Sequence, residues 1–142
     1  MMNPQDMDIR TLLPHRDPVV MVDRLLVADE LSAETVLEVR SDNIFVANGM
    51  LQPYALIEVM AQTCAAQQGY TEKYVLGHDK VGIGYIGSVK KLRIDTAPRV
   101  GETLTTRVRI TEDFGNMRMA VAECVVEDRP AATAELVITL AE

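Results

Sequence analysis

The 142-residue chain has no tryptophan, 4% aromatic residues, two cysteines and two histidines, and each scarcity excludes something. Cys64 and Cys124 stand far apart, with no second cysteine or histidine at ligand spacing beside either, so no zinc site is expected. Both lie in apolar runs and read as core packing. With only His15 and His78 available, any chemistry that needs an imidazole has two candidates. Positive charge is also short: 14 Lys and Arg against 21 Asp and Glu give a net charge of −7, which argues against nucleic acid as a partner. No apolar run is long enough to span a bilayer, and the opening Met1-Met2-Asn3-Pro4 lacks the basic start and apolar centre of a signal peptide. A cytoplasmic protein without membrane association is expected. No repeat, low-complexity tract or linker divides the chain, so residues 1–142 read as a single domain.

What is present is strongly patterned. Residues 19–28 and 34–40 are β-rich and suggest a hairpin, with Thr35, Leu37 and Val39 alternating against Glu38 and Arg40. Pro53 suits a first helical turn and Gly69 a C-cap, so residues 53–68 read as one helix. Downstream of Gly77 the period becomes two. Residues 104–111 alternate most clearly, runs at 81–95, 117–127 and 133–140 behave alike, and turn sequences separate them. The helix is apolar on nearly every side until Gln67 and Gln68, and must therefore be enclosed. One buried helix wrapped by a curved antiparallel sheet of five to six strands is an α+β arrangement called a hot-dog fold.

On that apolar helix Glu58 and Gln62 are four residues apart and share one face. A carboxylate facing a core costs several kcal/mol unless it is hydrogen-bonded or protonated, roughly speaking, which suggests a general acid or base. A partly solvated glutamate in the first helical turn is the plainer reading, and both stand at this point. Gly82-Ile83-Gly84-Tyr85-Ile86-Gly87 spells a dinucleotide-binding string, but a strand pattern follows where a helix is required. Glycine in a strand instead marks bulges or the close approach of a thin ligand, which makes Gly84 a substrate-binding candidate. His15, between Pro14 and Pro18, reads as a structural loop histidine, and His78 as part of a polar turn.

Leu12-Leu13-Pro14-His15-Arg16-Asp17-Pro18 followed by Met21-Val22-Asp23-Arg24 resembles the opening of the 3-hydroxyacyl-acyl carrier protein dehydratases. Glu58-Val59-Met60-Ala61-Gln62 resembles that family's helix motif, and Pro98-Arg99-Val100-Gly101-Glu102 its turn between two long strands. The resemblance implies a hot-dog fold, dimers with sites at the subunit interface, and acyl groups carried on the phosphopantetheine of acyl carrier protein with no other cofactor or metal. It implies elimination of water from a 3-hydroxyacyl thioester in fatty acid or polyketide-type synthesis. Glu58 would act as acid/base and Gln62 would orient it, with Asn48, Gly49 and Tyr54 around the thioester.

Two positions depart from the pattern. The family's catalytic histidine belongs in the loop before the helix, but position 44 is Ile44 and no histidine occurs between His15 and His78. Pro53 stands where the family has a glycine whose N–H polarises the carbonyl, and proline has none. In these departures the chain looks closer to the dehydratase-like proteins of aryl polyene or polyketide-like pathways. An acyl thioesterase using Glu58 to activate water is the rival enzyme reading. A catalytically silent hot-dog subunit, binding acyl carrier protein or an active partner, is the rival of another class. The expected assembly is a homo-oligomer built from hot-dog dimers, or a heterodimer. Lys90, Lys91, Arg93 and Arg99 could gather where an acidic carrier docks, or simply form a solvated face.

Overall fold

A computed structural model describes residues 3–78, 82 and 84–140. Two 3-10 turns, Pro4–Asp6 and Ile9–Thr11, precede strands β1 (Arg24–Ala28) and β2 (Ser32–Glu38). A two-residue hairpin, β3 (Val46–Ala47) with β4 (Met50–Leu51), leads into helix α1 (Tyr54–Tyr70). Strands β5 (Gly84–Ile94), β6 (Thr103–Asp113), β7 (Met117–Val126) and β8 (Arg129–Leu140) complete the chain. Six strands form one antiparallel sheet in the order β1-β2-β6-β7-β8-β5, and α1 lies along its inner face against β2, β6 and β7. This is the expected hot-dog fold.

The period-two pattern becomes burial directly. In β6, Leu104, Thr106, Val108 and Ile110 are buried while Arg107 and Arg109 face out. On the outer face Arg107 sits between Glu34 of β2 and Glu123 of β7, at 3.2 and 3.3 Å. Helix α1 is enclosed as its composition required, and its few polar side chains are tied to neighbouring segments. Thr63 and Thr35 share a hydroxyl hydrogen bond of 2.8 Å. The Gln67 amide donates to the carbonyls of Asp29 and Glu30 in the β1–β2 turn. Both cysteines are buried and free, as core packing required.

Three expectations are corrected. Gly69 does not end the helix; α1 continues to Tyr70 and then through a wider π turn, Thr71–Val75, before Gly77 at φ 75°. Gly69 is small for another reason: a Cβ there would overlap the Leu12 carbonyl oxygen and stand 2.9 Å from its carbon. The first strand begins at Arg24 rather than residue 19, because the side chain of Gln62 takes the backbone groups of Val19 and Met21 that a neighbouring strand would otherwise have paired. Finally, residues 46–51 form a hairpin rather than a plain loop. Asn48 and Gly49 occupy the left-handed region, at φ 55° and 75°, as a tight two-residue turn favours.

Strand β5 forms one edge of the sheet, opposite β1. It pairs with β8 on one side, and nearly all its residues are exposed. Register shifts between Ile86 and Ser88 and between Lys90 and Arg93 bend it; Lys91 at φ 53° lies in the second.

Candidate functional site

Glu58 and Gln62 emerge as the sequence placed them, one helical turn apart on one face. Gln62 is fully buried and uses its whole amide. Its Oε1 accepts from the Met21 backbone N–H at 2.6 Å, and its Nε2 donates to the Val19 carbonyl at 2.7 Å and to Glu58 Oε1 at 2.8 Å. The two backbone contacts fix which way round the amide sits, so an N–H and not an oxygen faces the carboxylate. Gln62 thereby anchors one carboxylate oxygen of Glu58.

Glu58 remains partly open, with 38% of its side chain exposed, because it borders a hollow of about 280 Å³ between α1 and the start of β5. The helix contributes Glu58, Ala61, Ala65 and Gln68, at the spacing of one helical face, together with Cys64. Gly84, Tyr85 and Ile86 form the facing wall. Small side chains at 61, 64 and 65 create the space, and the absence of a side chain at Gly84 preserves it: a Cβ there would stand 3.1 Å from Ile138 Cγ2. The result is a slot with an apolar wall and a carboxylate. Burial pushes the Cys64 thiol up to about 12, so this wall residue is a neutral thiol and no nucleophile.

His15 also lines the slot. Its Nε2 lies 3.8 Å from Glu58 Oε1, and its Nδ1 is buried without a hydrogen-bond partner among the described residues. The reading of His15 as a structural loop residue gave no reason to expect this meeting. The available signal was its place in the motif that precedes the first strand.

Gly84 therefore joins Glu58 at the slot, with Gln62 behind the carboxylate. Asn48, Gly49 and Tyr54 are not among its lining residues. Asn48 and Gly49 form the exposed β3–β4 turn, where the Gly49 carbonyl accepts from the Val100 N–H. Tyr54 opens α1 one turn before Glu58, exposed, with its ring edge-on to Phe45 at 6.0 Å. A larger hollow of about 440 Å³ lies across the outer sheet face, and its carboxylates Glu34 and Glu123 are both paired with Arg107. Among the described residues no group of three or more His, Cys, Asp or Glu side chains is placed to hold a metal ion. No described helix is long and apolar enough to cross a membrane.

Comparison with known proteins agrees with this architecture. The 3-hydroxyacyl-[acyl-carrier-protein] dehydratase FabZ of Clostridioides difficile is 26% identical over 141 residues, covering 95% of this chain and 96% of its own. FabZ of Oenococcus oeni is 28% identical over 141 residues, covering 94% and 96%. Among solved structures, the dehydratase heterocomplex ApeI:P from Xenorhabdus doucetiae superimposes with a TM-score of 0.88 at 18% identity, covering 96% of this chain and 92% of that one. A hypothetical thioesterase with coenzyme A from Streptococcus pneumoniae shares the fold at a TM-score of 0.65 and 8% identity, covering 83% and 84%. A family profile described as ApeP-like, ApeP dehydratase, matches residues 7–142, and with that match the chain belongs to the ApeP-like dehydratase family.

Proposed function

We propose that the protein removes water from a 3-hydroxyacyl thioester presented on the phosphopantetheine arm of acyl carrier protein, in fatty acid or polyketide-type synthesis in the cytoplasm, with no other cofactor. The observation that carries this reading is the Glu58 carboxylate, held by the buried Gln62 amide at the side of a slot with an apolar wall. A flexible acyl chain suits the apolar wall, and the carboxyl is the group able to give a proton to a departing hydroxyl. Membership of a dehydratase family supports the reaction class.

The reading extends to assembly. Among the described residues strand β5 is paired on one side only, and it exposes Tyr85, Ile86, Leu92 and Ile94, a surface suited to the edge of another hot-dog chain, either a second copy or a different one. The similarity to a member of a dehydratase heterocomplex supports the second form. In the assembled pair Asn48, Gly49 and Tyr54 would surround the thioester. Exposed Lys90, Lys91, Arg93 and Arg99 offer positive charge to an acidic carrier, although Lys91 and Arg93 already face Glu135 and Asp95.

The test is incubation with 3-hydroxyacyl-acyl carrier protein, followed by mass spectrometry of the carrier. Loss of one water is expected, and Glu58→Gln should slow it by about 10²- to 10⁴-fold. Release of free acid instead would identify a thioesterase, and carrier binding without turnover a silent subunit.

A further inference from the structure

We propose that His15 is the base of this site, so that one chain carries both the imidazole and the carboxyl of the elimination. The inference rests on the dehydratase reading above and deepens it.

Three observations support this role. The segment that carries His15 is clamped onto α1 on both sides of it. On one side the Leu12 backbone lies against Gly69, with Leu12 and Leu13 buried; on the other, Val19 and Met21 are bonded to Gln62. Next, the imidazole does none of the work of a structural histidine. Its Nδ1 is buried without a partner among the described residues, and its Nε2 stands 3.8 Å from Glu58 Oε1, too far for a hydrogen bond. Buried polar atoms are nearly always paired, so this nitrogen is not held in place by a hydrogen bond to the protein among the described residues. Finally, the ring and the carboxyl line the same slot. His78, the other imidazole, is exposed beyond the far end of α1 and is not among the residues lining it.

The geometry suits the chemistry. In a 3-hydroxyacyl thioester the proton and the hydroxyl leave from adjacent carbons, so base and acid must stand within a few ångströms of each other and face the same space, as His15 and Glu58 do at the slot. His15 Nε2 takes the C2 proton, and the C2–H electron pair becomes the new C2–C3 double bond. The C3–O bond breaks with its pair going to oxygen, and the Glu58 carboxyl protonates that oxygen to give water. The imidazolium then returns its proton to the Glu58 carboxylate, directly or through one water, restoring the pair with atoms and charge balanced. The histidine missing from the loop before α1 is thus replaced from the N-terminal side of the fold.

The experiment uses the purified full chain alone, with 3-hydroxybutyryl-acyl carrier protein as probe. Wild type should release water, and His15→Ala should lose about 10²- to 10⁴-fold. Free imidazole in the buffer should restore part of that loss, which a purely structural histidine would not permit; circular dichroism checks that the variant is folded. His15→Ala within about threefold of wild type, or a folded variant that imidazole does not rescue, overturns the role of His15. If Glu58→Gln abolishes turnover while His15→Ala keeps it, His15 is eliminated and the dehydratase reading stands. The same holds if the chain is inert alone but active beside a hot-dog partner that supplies a histidine. Absence of water loss in both settings removes both readings.

Discussion

Replacing Gly69 by alanine sets two effects of known size against each other. In an unobstructed helix interior this change stabilises by about 1 kcal/mol, since alanine is the better helix former. At position 69, however, the new Cβ would overlap the Leu12 carbonyl oxygen and stand 2.9 Å from its carbon and 3.0 Å from its Cα. The obstacle is backbone, which cannot rotate away as a side-chain tip can. Overpacking of this kind costs about 1–3 kcal/mol. If the segment lifts instead, part of the burial of Leu12 and Leu13 is lost, and each fully buried leucine contributes about 1.5–3 kcal/mol. Set against the helix gain, the net expectation is destabilisation by up to about 2 kcal/mol, or up to roughly 8 °C in Tm for a chain of this size. Calorimetry and urea unfolding measure it. Amide exchange at Met21, whose N–H is held by Gln62, should quicken as the clamped segment loosens. A Tm raised as in an unobstructed helix would refute the close approach of Leu12 to α1, and with it one of the two clamps that place His15.

Gln62→Leu should lower stability by about 2–4 kcal/mol in urea unfolding, because it strands the Met21 N–H and the Val19 carbonyl without partners. It should also slow turnover by releasing Glu58. Cys64 and Cys124, held up to about 12 and about 11 chiefly by burial, should resist iodoacetamide at pH 8 in the native protein and react once it is unfolded, as mass spectrometry would record. The Asp29 carboxylate accepts from the backbone N–H groups of Leu31 and Ser32 and from the Ser32 hydroxyl, which lowers its pKa. A lowered folded value means that its contribution is present above the ordinary carboxylate range and lost as pH falls through the folded value. Asp29→Asn should therefore flatten the fall in stability below about pH 4, and an unchanged acid limb would count against the turn.

Much of the fold was legible because it is encoded locally. The alternation in β6, the apolar circumference of α1 and the turn residues between the later strands each reflect a period of two or of 3.6 residues, which neighbouring positions carry by themselves. Glu58 and Gln62 were legible as a pair for the same reason, since four residues along a helix is a local relation. Gly69 was misread because its two possible roles look alike in one dimension: a helix stop and a point of close approach both call for a missing side chain. Only the path of Leu12 across the helix distinguishes them. Residues 19–23 have strand character, but the amide of Gln62, forty-one and forty-three positions away from its backbone partners, took those hydrogen bonds instead.

The chain's own residue pattern thus determined one enclosed helix, a long antiparallel sheet and a carboxylate beside an amide on the helix face. Tertiary structure decided which groups that carboxylate meets. Gln62 binds the backbone at Val19 and Met21, Gly69 admits Leu12, and His15, held between these contacts, comes to 3.8 Å from Glu58. No periodicity relates positions so far apart along the chain; their meeting follows from the packing of the N-terminal segment on α1.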